Sequence, residues 1–128
     1  MQTRREPLAS GPQFDARVRH RPGANILDLQ GEINAGAEEG LNAAYAQAEK
    51  QTGDIVLNFA GVDYINSTGI ALIVGLLARA RASGRRMLAC GLSEHYVEIF
   101  NITRLADFMT VFPDVTAALG DTTEDGKG

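Results

Sequence analysis

Apolar and polar residues alternate at the start of the chain and then give way to longer apolar runs. Residues 14–19 alternate strictly, which is typical of a half-buried edge strand. After a Pro-Gly turn, residues 25–33 read as a second strand. The apolar runs at 54–59 and 87–90 indicate strands buried on both faces, as in the centre of a parallel sheet. A short final strand is predicted at 108–112.

Four segments between these strands show helical spacing, namely 36–50, 68–83, 93–101 and 113–119. The first of them places five apolar residues on one face: Ala37, Leu41, Ala44, Tyr45 and Ala48. Ser93 is a typical residue for capping the third helix.

Strands and helices alternate after the first two strands, which favours an α/β fold with right-handed crossovers. We predict a mixed, mostly parallel sheet of about five strands with about four helices. The domain is expected at residues 13–119. It is expected to follow a flexible arm at 1–12 and to precede a disordered polar tail at 120–128.

Composition and charge narrow the classes of function. The 128 residues carry a formal net charge of -4, which disfavours nucleic acid as a partner because phosphates attract Lys and Arg. No apolar run approaches the roughly 20 residues of a membrane span, and the first residues do not resemble a signal peptide. One cysteine, Cys90, excludes an intrachain disulfide. We therefore expect a cytoplasmic protein that binds neither nucleic acid nor membrane.

Residues with catalytic chemistry are few. His20 and His95 are the only histidines, and Cys90 reads as a buried apolar residue. No spacing resembles a zinc site, a Walker loop or a dinucleotide fingerprint. We expect no catalytic residues, no metal and no cofactor, and hence a protein that is not an enzyme.

The turn from Asn66 to Gly69 is the best candidate for a functional site. Asn, Ser and Thr are common helix caps, so a cap alone would explain these residue types. However, the helix that follows is apolar nearly all round, whereas a surface helix needs one apolar stripe. Either this helix is deeply buried or its second apolar side faces a partner.

Four arginines gather at the end of the same helix and just beyond it: Arg79, Arg81, Arg85 and Arg86. They can offset the negative end of the helix dipole, or they can form a docking patch for an acidic partner. We favour the first interpretation.

Three segments resemble the STAS domain family, and within it the bacterial anti-sigma-factor antagonists. They are Gly31-Glu32-Ile33-Asn34 after the second strand, Asn66-Ser67-Thr68-Gly69-Ile70 before the second helix, and Ser93 through Phe100. They occur in the family's order and on the matching elements. The resemblance covers residues 14–119 and implies the STAS fold.

The resemblance also implies a role for individual residues. Ser67 matches the family's phosphorylated serine, and Thr68 is a second possible acceptor. The implied partner is an anti-sigma factor or a serine kinase of the histidine-kinase-like ATPase type, with a phosphatase that reverses the modification. The expected contact residues are Asn34, Asn66, Ser67, Thr68, Gly69 and Ile70.

Two positions depart from the family pattern, since Asn34 and Asn66 stand where the family usually has Asp. An amide keeps the size and hydrogen bonding of a carboxylate but loses its charge. This leaves two alternatives open: an adapter of the same fold that is never phosphorylated, and a sensor that holds a nucleotide or other small anion at the turn.

Overall fold

The computed structural model describes residues 13–123 and contains five strands and four α-helices. The strands are β1 (Asp15–Arg21), β2 (Ala24–Ile33), β3 (Asp54–Ile65), β4 (Met87–Cys90) and β5 (Thr110–Phe112). The helices are α1 (Glu38–Glu49), α2 (Ser67–Ala82), α3 (Glu94–Ile102) and α4 (Val115–Thr123). Short 3-10 turns occur at Ala35–Ala37 and Leu105–Asp107.

The five strands form one sheet in the order β1-β2-β3-β4-β5. β1 runs antiparallel to β2, and the other neighbouring pairs are parallel. Each parallel step is joined by a helix, as parallel strands require. The predicted α/β class and mixed, mostly parallel sheet are therefore confirmed.

The sheet carries a core on each face because successive side chains of a strand point to opposite sides. On the larger side, α1, α2 and α3 pack over Ile55 and Leu57, and all five residues predicted for the inner face of α1 are buried. On the smaller side, α4 places Ala118 near Val56. Three of the four α-helices, α1, α2 and α3, therefore lie on the same face of the sheet.

β3 is longer than the sequence indicates, since it continues from residue 59 to Ile65. Its partner β4 ends at Cys90, opposite Asn58, so the last residues of β3 have no strand on that side. Tyr96 of α3 occupies the gap. Its hydroxyl accepts a hydrogen bond from Ile65 N at 2.9 Å and donates one to Ile65 O at 3.3 Å.

The C-terminal helix also differs from the sequence-based boundary. α4 begins at Val115, with Asp114 accepting a hydrogen bond from Ala117 N, and it continues to Thr123 rather than ending at residue 119. Thr122 is buried and its hydroxyl donates to Leu119 O at 3.0 Å, which stabilises the last turn. Residues 120–123 are therefore helical, contrary to the predicted tail. The rest of that tail and the predicted arm at 1–12 lie outside the described residues.

Candidate functional site

The candidate site lies where β2 and β3 end side by side. Ile33 pairs with Ile65 in the parallel register, and Asn66 N donates to Ile33 O at 3.2 Å. Asn34 and Asn66 each follow the last residue of their strand. The topology therefore brings the two segments that the sequence singled out to one edge of the sheet.

Both asparagines cap the helical segments that follow them. Asn66 Oδ1 accepts a hydrogen bond from Gly69 N at 2.8 Å, and Asn34 Oδ1 accepts one from Gly36 N at 2.9 Å. The interpretation of the turn from Asn66 to Gly69 as a helix cap is confirmed, whereas the cap at Asn34 was not predicted. A carboxylate could accept the same bonds, so the amides preserve the geometry of the turn while removing two negative charges.

Gly69 is required by a close approach of α2 to the end of β2. A Cβ at this position would press on the carbonyl oxygen of Ile33. The Cβ would lie 2.8 Å from the carbonyl carbon of Ile33 and 2.9 Å from Ile65 Cγ2. The residue is buried. Gly69 therefore has a packing role, and it does not contribute to the exposed surface on which the sequence analysis placed it.

Ser67 and Thr68 are both exposed at the start of α2. The sequence had suggested that this helix begins at Thr68. In the structure Ser67 is the first helical residue and Thr68 is the second. Asn66 satisfies the N–H of Gly69, and the N–H groups of Ser67 and Thr68 precede any intrahelical acceptor. An anion attached to Ser67 would therefore meet the positive end of the α2 dipole.

A groove of about 370 Å³ runs from Ser67 between α2 and α3. Its wall on the α2 side includes Ser67 and Ile70, and its wall on the α3 side includes His95, Tyr96 and Ile99. The hydrogen bonds of Tyr96 to Ile65 fix the second wall against the end of β3. We call this feature the α2–α3 groove.

The wall supplied by α3 did not emerge from the sequence analysis, which noted His95 only as one of two histidines. His95 is exposed, and its ring contacts the Tyr96 ring edge to face at a centroid distance of 4.8 Å. Tyr64, half exposed at 51%, also lines the groove. The i, i+3 spacing of Tyr96 and Ile99 was the available signal, because it marks one side of α3 as apolar.

The second apolar side of α2 faces outward. Ile73 and Leu76 are buried, whereas Ala71, Val74 and Ala78 are exposed, Val74 to 45%. Of the two explanations that the sequence left open, a deeply buried helix is therefore wrong. An exposed apolar strip continues from the Ser67 end of α2 beside the groove.

Three of the four arginines near the end of α2 hold the fold together. Arg79 pairs with Glu49 at 2.9 Å, and Arg85 donates to Glu49 O at 2.9 Å. Arg86 bonds to Asp54 at 2.8 Å and to Asp121 at 2.9 Å. These contacts favour a structural role over the docking patch for those three residues.

Other chemistry is sparse in the part of the chain that the structure describes. Within residues 13–123, no group of His, Cys, Asp or Glu side chains is arranged to hold a metal ion. No helix in that range is long and apolar enough to span a bilayer. Cys90 is fully buried, and burial raises the pKa of its thiol to about 11. Among the groove-lining residues of this range, only His95 can carry positive charge, which gives little support to an anion sensor.

Comparisons with known proteins agree with the family resemblance of the sequence. Residues 15–118 match the family model of the STAS domain. BtrV, a candidate anti-sigma factor antagonist of Bordetella bronchiseptica, is 32% identical over 92 residues, covering 71% of this chain and 77% of BtrV. The anti-sigma-B factor antagonist of Staphylococcus epidermidis is 36% identical over 63 residues, which are 49% of this chain and 58% of that protein.

Solved structures show the same fold. The anti-sigma factor antagonist SpoIIAA in its unphosphorylated form superposes with a TM-score of 0.66 at 17% identity, covering 85% of this chain and 97% of SpoIIAA. The phosphorylated form of SpoIIAA, from Bacillus, gives a TM-score of 0.62 at 20% identity, covering 80% and 96%. The family model spans most of this sequence, and the match to BtrV covers more than two thirds of both chains. This chain therefore belongs to the STAS domain family.

Proposed function

We propose that this protein is an anti-sigma factor antagonist whose binding to its partner is ended by phosphorylation of Ser67. The relatives from Bordetella and Staphylococcus carry that functional name, and SpoIIAA exists in both an unphosphorylated and a phosphorylated form. The single observation that carries the proposal is the position of Ser67. It is exposed at the first residue of α2 and borders the apolar α2–α3 groove.

The partner is an anti-sigma factor, which also acts as the serine kinase and is of the histidine-kinase-like ATPase type. It contacts Asn34, Asn66, Ser67, Thr68 and Ile70 and the exposed strip of α2. A phosphatase restores the binding form. The protein itself acts in the cytoplasm by binding and catalyses no reaction.

Simple electrostatics supports such a switch. A phosphate adds a charge of about -1.5 to -2 at neutral pH. In the free protein this charge lies near the open N–H groups of α2 and stays in water, so the fold tolerates it. In a closed complex the same charge would be desolvated against Ile70 and the apolar groove, at a cost of several kcal/mol. A loss of about 2.8 kcal/mol already weakens binding a hundredfold.

Transfer of phosphate from ATP by the partner kinase tests the site directly. We expect mass spectrometry to locate one phosphate on Ser67, the Ser67→Ala variant to remain unlabelled, and the Thr68→Ala variant to be labelled like the unchanged chain. Phosphate found only on Thr68, or none on either residue, would overturn the proposed switch.

A constitutive adapter is the second candidate, and the neutral caps Asn34 and Asn66 favour it, because a kinase that recognises acidic side chains would find none at these positions. Ser67→Ala and Ser67→Asp discriminate between the two functions. The switch predicts that Ser67→Ala binds the anti-sigma factor and Ser67→Asp does not. Equal binding by both variants would favour the adapter.

A further inference from the structure

A second cavity lies at the opposite end of α2 from Ser67, where β4 and β5 begin. Arg81 is fourteen residues after Ser67, which places the two about 21 Å apart along the helix axis. The cavity is small, about 140 Å³, and it is lined by Arg81, Arg85, Arg86, Phe108 and Thr110, with an apolar base at Leu77 and Met87. We call it the arginine pocket.

The arginine pocket holds more hydrogen-bond donors than the fold uses. Each guanidinium carries five N–H donors. Arg85 uses two of them on the carbonyl oxygens of Ala48 and Glu49, and Arg86 uses two on Asp54 and Asp121. These bonds fix both side chains and leave further N–H groups available.

Arg81 is the exception among the pocket arginines. Within residues 13–123 its guanidinium has no hydrogen-bond or carboxylate partner, and it lies over the Phe108 ring at 5.2 Å from the centroid. Phe108 is 52% exposed despite being a large apolar residue. The ring of Phe108 positions a guanidinium that lines the cavity, and within the described residues its N–H donors are available to a ligand.

Charge and size together define what the pocket can hold. Asp54 and Asp121 together outweigh the single positive charge of Arg86, so the positive charge of the pocket comes from Arg81 and Arg85, in a chain whose net charge is -4. Its volume is well below the roughly 300–1,000 Å³ of pockets that enclose larger ligands. Planar guanidinium groups suit the oxygens of phosphate, which they bind in pairs of hydrogen bonds.

We propose that the arginine pocket binds a phosphate group, either inorganic phosphate or the phosphate of a small monoester. Arg81 supplies the free donors, while Arg85 supplies a second positive charge that its bonds to backbone carbonyl oxygens hold in place. Thr110 lines the same cavity. The site is separate from the Ser67 turn and does not depend on phosphorylation there.

Titration of the full chain with inorganic phosphate at constant ionic strength, followed by amide NMR shifts, tests the proposal. We expect saturable shifts confined to the residues around the arginine pocket. Arg81→Ala should weaken binding at least tenfold, and Arg81→Lys should weaken it less. Arg17→Ala is the matched control, because Arg17 is an exposed arginine of β1 that pairs with Asp15, and this variant should bind as the unchanged chain does.

A second titration with adenosine monophosphate distinguishes the source of the phosphate. If a monoester is the ligand, stacking of its base on Phe108 should make it bind more tightly than inorganic phosphate, and Phe108→Leu should remove the difference. If phosphate alone is the ligand, the two probes should bind equally. Shifts that do not saturate, or equal loss of binding in Arg81→Ala and Arg17→Ala, would overturn the proposal.

Discussion

The close packing of Gly69 against β2 leads to a sharp prediction about two glycines of one helix. Gly69 lies on the first turn of α2, and an added Cβ would press on the backbone of Ile33 and on the side chain of Ile65. Gly75 lies on the same helix six residues later, and an added Cβ there would meet no atom within 4 Å. The substitution Gly→Ala should therefore have opposite effects at the two positions.

The expected magnitudes follow from these contacts. Overpacking in a close-packed region costs typically 1–3 kcal/mol, and backbone atoms yield less than the end of a flexible side chain. We expect Gly69→Ala to lower the free energy of unfolding by about 2 kcal/mol or more. At Gly75 alanine should raise it by about 0.5–1 kcal/mol, because alanine loses less conformational entropy than glycine when a helix forms.

Urea unfolding of the two variants and the unchanged protein measures this difference. Gly69→Ala should also lower Tm by roughly 8 °C, since 1 kcal/mol corresponds to about 4 °C in a domain of this size. The variant should still be folded at low temperature, with its amide shifts changed mainly around the Ser67 turn. Gly69→Ala at least as stable as Gly75→Ala would refute the packing role that we assign to Gly69.

Three further predictions concern the cap, the thiol and one ion pair. Asn66→Ala should lower the free energy of urea unfolding by about 1 kcal/mol because Gly69 N loses its acceptor, while Asn66→Asp should keep the cap and equal or exceed the original stability. Cys90 should resist iodoacetamide at pH 8 in the folded protein and react once urea unfolds it; equal rates would contradict its burial. Burial raises the pKa of Asp28, but hydrogen bonds from Arg19 and Asn58 outweigh it, so the folded pKa lies below the usual value. Asp28 thus contributes stability above about pH 4 that is lost as the pH falls through its folded pKa, and in Asp28→Asn the decline of stability below pH 4 should be shallower.

The architecture was largely predictable from the sequence because apolar spacing differs between strands and helices. The strand at Met87–Cys90 was located to the residue, since four consecutive apolar residues between a glycine-containing turn and Gly91 leave little choice. The end of β3 at Ile65 was not predicted. Gly61 and Asp63 interrupt the apolar run, yet the strand continues because it pairs with β2 through two register shifts. Such pairing depends on a strand that is distant in sequence.

The C-terminal helix shows a second limit of local patterns. Gly120 reads as the end of a helix, but tertiary contacts extend α4 beyond it. Thr122 is buried, and Asp121 forms an ion pair with Arg86, a residue 35 positions earlier. Contacts of this kind override local propensity and cannot be inferred from neighbouring residues.

Only the local part of the candidate site was predicted, because contacts between distant segments cannot be inferred from neighbouring residues. The turn at Ser67 and its cap are local features, so the residue types revealed them. The opposite wall of the groove comes from Tyr96 and Ile99, about thirty residues away, and its distance from Ser67 is set by the crossover through β4. Exposure also required the structure, because only the packed fold separates the buried Ile73 from the exposed Val74.

The most direct measurement is the affinity of the anti-sigma factor for the chain carrying phosphoserine at position 67, compared by calorimetry with the unmodified chain. Phosphoserine at Ser83 is the matched control, because Ser83 is exposed at the other end of α2 and receives the same charge. We expect phosphorylation at Ser67 to weaken binding at least a hundredfold and phosphorylation at Ser83 to leave it within about threefold. Equal affinities of the unmodified and Ser67-phosphorylated chains would contradict the account.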